Sequence, residues 1–225
     1  MSRRLVIAVD GPAAAGKGTL ARALAEALGL PYLDTGLLYR AVGRRMLDAG
    51  LAPAEDAAEQ AGALQPADLA RTDLRTPEVD RAASLVAAQP AVRSALLAFQ
   101  RGFGAAHGAV LDGRDIGTVI FPDAPVKLFV TASTRARAER RWRQLHGSTG
   151  PDHDARAPER AEAIADEIAA VEAELEARDA ADSARMLAPL RAAPDAVEIN
   201  SDRMDAAAVL QEALRIVQVR TAENS

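Results

Sequence analysis

The residues best suited to chemistry form one short stretch near the start of the chain, GPAAAGKGT at positions 11–19. It follows an apolar run at residues 5–9 and opens a helical pattern. A strand, a glycine-rich loop, a lysine and a helix in that order bind nucleotide phosphates. The glycines let backbone N–H groups point at one phosphate, and the helix N-terminus adds its positive dipole end. Because Lys17 can then reach the outer phosphates, the stretch favours a triphosphate site over an ordinary turn.

The loop departs from the strict motif at one position. The residue after the lysine is usually Ser or Thr, whose hydroxyl binds Mg²⁺. Here that residue is Gly18, and the hydroxyl follows at Thr19. Direct binding of the metal by Thr19 is therefore open. Asp112, a carboxylate at the end of a predicted strand, is the other candidate to organise Mg²⁺, directly or through water.

Aspartates and arginines make up the remaining candidate chemistry. They form three groups: Asp34, Thr35, Tyr39 and Arg40; Asp112, Arg114 and Asp115; and Arg178, Asp182 and Arg185. The third group is spaced i, i+4, i+7, which predicts a shared helix face. Taken singly, each group is also open to interpretation as a solvated face or a structural ion pair. Together they suit phosphoryl transfer, where fixed positive charge stabilises the moving group.

A turn-rich segment at residues 146–154 follows a run of further arginines. The members of that run are Arg135, Arg137, Arg140, Arg141 and Arg143. Such a run is usually a solvated face, and we expect only some of these side chains to reach a ligand. The turn-rich segment predicts a lid that closes over a substrate, with a plain surface loop as the alternative. Three histidines lack partners at metal-ligand spacing and are interpreted as surface residues: His107, His146 and His153.

Alternating strands and helices must position these groups. Apolar runs predict five buried parallel strands, at residues 5–9, 31–33, 109–112, 126–131 and 196–200. Helices are predicted up to Gly29, from residue 36 or 37 to Gly50, after Thr76, from Pro158, and at about 204–219. The Ala-rich segment at 51–76 predicts a loosely packed excursion. The pattern indicates an α/β fold with a doubly wound parallel sheet, whose ligands bind beyond the carboxyl ends of the strands.

The composition limits the class of protein. A chain of 225 residues with 49% hydrophobic and 26% charged residues can bury one core, with small mobile subdomains. It contains no cysteine, which excludes disulfides and thiolate metal sites and suits a reducing cytoplasm. The net charge of −5 offers no basic field for nucleic acid, and no stretch resembles a membrane span or a secretory signal. We therefore expect a cytoplasmic protein without nucleic-acid or membrane partners.

With these motifs identified, the chain resembles the bacterial cytidylate kinases, a family of P-loop nucleoside monophosphate kinases. The resemblance rests on GPAAAGKGT at 11–19, LDTG at 33–36 with Tyr39 and Arg40, DGRDIGT at 112–118, and Arg178, Asp182 and Arg185 followed by APL at 188–190. GKGT alone is shared by nucleoside monophosphate kinases in general. Adenylate kinases carry DGxPR after the third strand, where this chain has DGRD. The resemblance runs over nearly the whole chain.

The resemblance implies a fold and a reaction. The fold is a P-loop kinase core with a five-stranded parallel sheet flanked by helices, in a single kinase domain that acts as a monomer. The core would span about 1–35, 107–145 and 177–225, the monophosphate-binding region about 36–106, and the lid about 146–176. The reaction would transfer the γ-phosphoryl group of ATP to CMP or dCMP, with Mg²⁺. No general base is needed, because the acceptor is already an anionic phosphate oxygen.

Matched position by position, the resemblance also implies a role for each candidate residue. Those expected to bind ATP are Gly11, Pro12, Ala13, Ala14, Ala15, Gly16, Lys17, Gly18, Thr19 and Arg137. Those expected to bind the acceptor nucleotide are Thr35, Tyr39, Arg40, Arg75, Arg114, Asp115, Arg178, Asp182 and Arg185. Those expected to act in catalysis are Lys17, Arg114, Arg178 and Arg185. Asp115 and Arg75 would read the cytosine, since a carboxylate accepts from its exocyclic amine and a guanidinium donates to its ring.

The sequence leaves rival hypotheses open. The segment at 51–76 is shorter than the insert of the longer family members, and Ala13 stands where some members carry Ser. The chain could instead phosphorylate both UMP and CMP, or a non-nucleotide acceptor, or bind nucleotide as a switch without turnover. Asp115 argues against uracil, whose carbonyl would face the carboxylate. The arginines on the acceptor side argue against the switch.

Overall fold

A parallel sheet lies at the centre of the computed structural model, which describes residues 4–146 and 158–223. Within these residues the strands are β1 (Val6–Asp10), β2 (Tyr32–Asp34), β3 (Ala109–Gly113), β4 (Val126–Thr131) and β5 (Val197–Asn200). The order across the sheet is β2-β3-β1-β4-β5, and neighbouring strands are parallel. The carboxyl ends therefore share one edge. The predicted α/β fold and its strands are confirmed, with ends that differ by one residue.

Helices cover both faces of the sheet and extend beyond it. In the described part of the chain they are α1 (Lys17–Leu28), α2 (Thr35–Asp48), α3 (Ala58–Gly62), α4 (Pro66–Leu69), α5 (Pro77–Val86), α6 (Pro90–His107), α7 (Thr134–His146), α8 (Pro158–Ser183) and α9 (Ala206–Glu223). A short π-helical turn, Ile116–Ile120, follows β3. Helix α2 begins earlier than predicted because Asp34 caps it, accepting the N–H of Leu37 at 3.1 Å.

The core is divided among separate apolar clusters. One face of the sheet packs on α1 and α9 through residues such as Ile7, Leu24 and Ile216. A second cluster lies away from the sheet and joins α2, α5 and α6, with Val42 and Val86 fully buried. A third joins α7 to α8 through Trp142, Ile168 and Leu175. Separate clusters let the helices outside the sheet form units of their own.

The segment at 51–76 differs from the prediction of a loose excursion. It forms the short helices α3 and α4. Ala57, Ala61 and Leu74 are buried, at 0%, 4% and 1% exposed. Gln89 holds the start of the segment by accepting the N–H of Ala57 at 2.9 Å and donating to the carbonyls of Pro53 and Glu55. Small alanine side chains fit this packing because they allow close approach.

Two further predictions concern α7 and α8. Residues 147–157 of the predicted lid, with His153, lie outside the described residues. Helix α8 ends at Ser183, so Arg185 lies beyond it and does not share the helix face predicted for Arg178 and Asp182. It still reaches Asp182, from the turn that follows the helix. Over the described residues, no single helix is long and apolar enough to cross a membrane, although the bent pair α5 and α6 passes by length and composition.

Candidate active site

A cavity of about 800 Å³ lies at the carboxyl edge of the sheet. Its wall includes the ends of β2 and β3, the start of α1 and side chains from α2, α5, α6, α7 and α8. The arginines among the described lining residues are Arg22, Arg40, Arg75, Arg93, Arg114, Arg140, Arg141, Arg143, Arg178 and Arg185. A cavity with this lining inside an acidic protein concentrates positive charge where a polyanion can bind.

The glycine-rich loop after β1 takes the shape that its glycines predict. A Cβ at Gly11 would lie 2.1 Å from the carbonyl oxygen of Val130 in β4, so no side chain fits there. Ala14 and Gly16 have φ angles of +59° and +89°, in the left-handed region. These conformations turn the loop tightly from the end of β1 into the N-terminus of α1. The result is the curled backbone that surrounds a phosphate.

The loop is braced by Arg137 of α7. Its guanidinium donates to the carbonyl of Ala13 at 3.1 Å and to the carboxylate of Asp179 at 2.5 Å. Asp179 in turn accepts the N–H of Ala13 at 3.4 Å. Arg137 is 5% exposed and is not among the described residues that line the cavity, so its role toward ATP stays a prediction. Its observed contacts fix the loop to α7 and α8.

Some residues of the glycine-rich loop line the cavity, and the others do not. Those in the cavity wall are Ala13, Ala14, Gly16, Lys17, Gly18 and Thr19. Gly11, Pro12 and Ala15 are not part of the described wall, and they shape the backbone beneath it. Lys17 donates to the carbonyl of Pro12 at 3.1 Å. The predicted phosphate loop is therefore present, and about two thirds of it faces the cavity.

Lys17 is held in an unfavourable electrostatic position. Burial lowers the pKa of its ammonium to about 7, and the charges of Arg114 and Arg178 lower it further, against the attraction of Asp112 and Asp34. The pKa would be restored by an anion in the cavity. Lys17 is thus positioned to gain when phosphate binds beside it.

Asp112 ends β3 next to the loop. One carboxylate oxygen accepts the hydroxyl of Tyr32 at 2.9 Å, and its backbone carbonyl accepts the hydroxyl of Thr35 at 2.7 Å. The other oxygen lies 3.4 Å from where a Cβ of Gly18 would stand. Burial raises the pKa of this carboxyl to about 6, and the nearby charge of Asp34 adds to that rise. A cation at the free oxygen would relieve this unfavourable charge.

Asp182 gathers two of the predicted arginines. It is almost fully buried and accepts from Arg114 at 3.0 Å and from Arg185. Burial lowers the pKa of Arg178, on the preceding turn of α8, to about 10, and the charge of Arg114 contributes. Burial also lowers the pKa of Arg185. Positive charge therefore exceeds what Asp182 neutralises here.

Asp80 of α5 gathers a second set of arginines, which we call the Asp80 cluster. Its carboxylate accepts from Nε of Arg40 at 2.8 Å and from Arg141 at 2.7 Å. A guanidinium nitrogen of Arg178 lies 3.7 Å away. Arg40, Arg141 and Arg178 come from α2, α7 and α8, so the cluster joins helices that are distant in sequence.

The groups expected to read a base lie nearby but are paired differently. Asp115 forms a buried ion pair with Arg93 of α6, with side chains 7% and 10% exposed. Burial raises the pKa of Asp115, against the attraction of Arg93. The guanidinium of Arg93 lies 5.6 Å from the ring centre of Tyr39. Arg75 donates to Asp34 at 2.8 Å and is 61% exposed, at the rim.

Asp10 supports the turn that carries Arg114 and Asp115. Its carboxylate, at the end of β1, accepts the N–H groups of Ile116 and Gly117 at 2.8 and 2.7 Å. Burial raises the pKa of this carboxyl to about 7, in spite of those two hydrogen bonds. Asp10 thus ties the donor strand to the acceptor-side turn.

Sequence reasoning missed Arg93, Asp80 and Asp10 as residues of the site. Arg93 and Asp80 are charged residues within helices, where such a side chain usually means contact with solvent. Arg141 was one of five candidates in a run. Of the missed residues, only Asp10 could have been found from the sequence. It ends an otherwise apolar strand, where a charged side chain is unusual because such strands are normally buried.

The parallel sheet, the braced glycine-rich loop and the arginine-lined cavity define a P-loop kinase fold with a nucleotide phosphotransferase site. The family model for cytidylate kinase matches residues 7–219. This chain belongs to the cytidylate kinase family.

Curated relatives agree with this assignment over almost the full length. The cytidylate kinase of Granulibacter bethesdensis is 59% identical over 217 residues, covering 96% of this chain and 97% of the relative. That of Cereibacter sphaeroides is 48% identical over 221 residues, covering 98% of each. Among solved structures, a gluconokinase from Sinorhizobium meliloti is 17% identical with a TM-score of 0.49, covering 100% of this chain and 97% of that chain, a likeness too remote to bear on function.

Proposed function

We propose that this protein transfers the γ-phosphoryl group of ATP to CMP or dCMP, giving ADP and CDP or dCDP. The observation that carries the proposal is the cavity itself. A braced phosphate loop and two arginine clusters, around Asp182 and Asp80, face one space of about 800 Å³. Family membership over residues 7–219 supports the choice of cytidylate as acceptor.

The loop and Lys17 bind the donor. Backbone N–H groups of the loop and the N-terminus of α1 surround the phosphates of ATP. Lys17, whose pKa is lowered by burial to about 7, becomes a fully charged ligand of the transferred group once phosphate replaces the missing counter-charge. Ala13, Ala14 and the residues from Gly16 to Thr19 provide the contact surface, and Arg137 holds the loop in place.

The arginines bind the acceptor phosphate and the group in flight. Arg40 and Arg178 hold the acceptor phosphate, while Arg114 and Arg185 converge on Asp182 beside it. Their charges stabilise the negative charge that spreads over the γ-phosphoryl group during transfer. An oxygen of the acceptor phosphate attacks the γ-phosphorus, and the bond to the β-phosphate oxygen breaks. Asp182 orients the arginines and meets the sugar.

Asp115 reads the base. A carboxylate accepts from the exocyclic amine of cytosine and repels the carbonyl that uracil carries at the same place. Arg93 pairs with this carboxylate and favours its ionised form against the effect of burial, and it is itself placed to donate to the ring. Tyr39 packs beside Arg93, and Arg75 at the rim supplies a further donor. Thr35 fixes the backbone of Asp112 behind them.

The donor set near the loop fits Mg²⁺ brought in with ATP. Asp112 offers one carboxylate oxygen next to Gly18, and Thr19 in the cavity wall offers a hydroxyl. No group of three or more Asp, Glu, His or Cys side chains that could hold a metal occurs among the described residues. Phosphate oxygens and water would therefore supply most ligands, as is usual for Mg²⁺. When bound, the ion neutralises charge on the β- and γ-phosphates.

The remaining parts of the proposal concern the whole chain. The sheet with α1 and α9 acts as the fixed core, the unit of α2, α5 and α6 as the monophosphate-binding region, and the unit of α7 and α8 as the base of the lid. The separate apolar clusters of these units support this division. We propose a cytoplasmic monomer that acts on small nucleotides, without nucleic-acid or membrane partners.

A coupled assay with ATP across CMP, dCMP, UMP, AMP and GMP tests the function. We expect CMP and dCMP to give the highest kcat/KM, with UMP at least tenfold lower. The Lys17→Met variant is the control, and its kcat should fall by about 10²–10³ with the fold intact. Turnover of none of the five would instead favour a nucleotide-binding switch, and equal turnover of UMP and CMP would favour the broader pyrimidine kinase.

A further inference from the structure

Asp80 is a charged residue in the cavity wall to which the proposed reaction assigns no role. It lies on the first turn of α5, and its side chain is 13% exposed. Its carboxylate contacts Arg40 at 2.8 Å, Arg141 at 2.7 Å and Arg178 at 3.7 Å. An aspartate among arginines that should bind phosphate needs an explanation, because its charge repels the same phosphate.

The carboxylate of Asp80 presents to these arginines what a phosphate would present. Both are anions whose paired oxygens accept from guanidinium groups. Arg40 and Arg178 are residues that we expect to hold the acceptor phosphate, and Arg141 lines the same cavity. Asp80 therefore contacts the arginines that we expect to bind the acceptor phosphate, and not a separate group of arginines with a structural role.

The single negative charge of Asp80 does not neutralise the arginines of the Asp80 cluster. Burial on its own would raise the pKa of the Asp80 carboxyl, but the charges of Arg40, Arg178 and Arg141 outweigh it and lower the pKa, so the group is ionised at neutral pH. Within the described residues, the Nε of Arg178 is buried without a hydrogen-bond partner. One negative charge thus faces several positive ones, and a phosphate dianion would neutralise the cluster better.

We propose that Asp80 sets the affinity threshold of the acceptor site: its carboxylate occupies the acceptor-phosphate arginines and must be displaced by the phosphate of the nucleotide. This inference rests on the proposed function, since it takes those arginines as acceptor ligands. A free anion has only the phosphate contacts with which to compete against Asp80. A nucleoside monophosphate adds contacts between its base and Asp115, so it displaces the carboxylate where inorganic phosphate does not.

Asp80→Asn tests the proposal because it removes the competing charge and keeps the side-chain shape. Inorganic phosphate is titrated by calorimetry into protein saturated with a non-hydrolysable ATP analogue, which fills the phosphate loop. We expect the variant to bind inorganic phosphate about threefold to tenfold more tightly than the unmodified protein. The KM for CMP should fall by a similar factor, with the KM for ATP unchanged.

Matched control variants distinguish tighter phosphate binding caused by the lost charge from a general disturbance of the structure. Asp80→Glu keeps the charge and should bind phosphate as weakly as the unmodified protein. Asp48→Asn removes an aspartate that also pairs with two arginines, Arg44 and Arg71, outside the cavity wall, and should change neither constant. If Asp80→Asn does not fold, Asp80→Ser replaces it with the same expected result.

A competing role and a supporting role for Asp80 predict different changes in the phosphate affinity of Asp80→Asn. Tighter binding of phosphate cannot come from a merely disturbed structure, so it supports the proposal. Equal or weaker binding in Asp80→Asn overturns it and makes Asp80 a support for the arginines. The titration does not depend on turnover, so failure of the unmodified protein to phosphorylate CMP would count against the proposed function alone.

Discussion

At the scale of single residues, burial sets the properties of the charged groups in the cavity. The pKa of Lys17 is lowered to about 7 and that of Asp112 is raised to about 6, in each case mainly by burial. Both shifts mean that the charged form is disfavoured until a partner arrives. A triphosphate would supply the anion that Lys17 lacks, and a cation bound with it would supply the charge that Asp112 lacks. Binding energy thus comes from correcting unfavourable charges already present.

Asp115 is the residue on which base selectivity should depend. In Asp115→Asn the carboxylate becomes an amide, which still fills the space beside Arg93 but can donate toward a carbonyl. We expect kcat/KM for CMP to fall by about 10-fold to 100-fold, and that for UMP by less than about threefold. Steady-state kinetics with both acceptors measures this. Equal losses for the two substrates would show that Asp115 does not contact the base.

At the scale of elements, the β1–loop–α1 unit carries the proposed donor site, and contacts with neighbouring elements impose its shape. Gly11 passes so close to Val130 of β4 that the loop and the sheet are packed backbone against backbone. Arg137 and Asp179, from α7 and α8, hold the loop from the other side. The loop is therefore preorganised by tertiary contacts, which lowers the cost of ordering it around a phosphate.

Gly11→Ala tests this close approach. The added Cβ would lie 2.1 Å from the carbonyl oxygen of Val130, so the loop must move. We expect a loss of about 3 kcal/mol or more in the free energy of unfolding, together with loss of ATP binding. Urea denaturation and nucleotide titration measure the two effects.

Gly29→Ala is the matched control for that substitution. Gly29 also has a left-handed φ, +63°, but a Cβ there meets nothing within 4 Å. We expect it to cost about 1 kcal/mol from backbone strain and to leave ATP binding unchanged. Equal costs at the two glycines would mean that the contact with Val130 is unimportant.

At the scale of the whole molecule, the site is a junction between separately packed units. The sheet supplies the loop and the turn after β3, the unit of α2, α5 and α6 supplies Arg40 and Arg93, and the unit of α7 and α8 supplies Arg141 and Arg178. Ion pairs at Asp80 and Asp182 connect these units across the cavity. Polar junctions of this kind are easier to open than an apolar core.

Stability should respond to pH through buried carboxyls at this junction. The pKa of Asp10 is raised to about 7, and that of Asp112 to about 6. A raised pKa adds stability that is complete below the unfolded value near 3.8 and is lost as pH rises through the folded value. We therefore expect the free energy of unfolding of the ligand-free protein to fall between pH 5 and 7.5, by at most about 1.4 kcal/mol per pH unit for each proton.

The Asp10→Asn variant measures the contribution of Asp10 to this pH dependence of stability. The amide does not titrate, so the free energy of unfolding should fall less steeply between pH 5 and 7.5. This change in slope is expected however much stability the variant loses at any one pH. Urea denaturation at intervals across this range measures the slope. An unchanged slope in the variant would rule out Asp10 as a source of the pH dependence. Lys17, whose pKa is lowered to about 7, begins to titrate near the top of this range, and its contribution raises stability with pH because the unfolded state binds more protons there.

The sequence by itself determined the features that depend on neighbours along the chain. Apolar runs predicted the strands, Thr76 marked a helix start, and GPAAAGKGT predicted the glycine-rich loop after β1, because strand burial, capping and loop curvature are local. Only the tertiary structure decided which charges meet. Arg93 reaches Asp115, and Arg137 braces the loop rather than lining the cavity. A lone arginine on a helix looks the same in sequence whether it faces water or a buried carboxylate, and the packing of distant elements sets its partner.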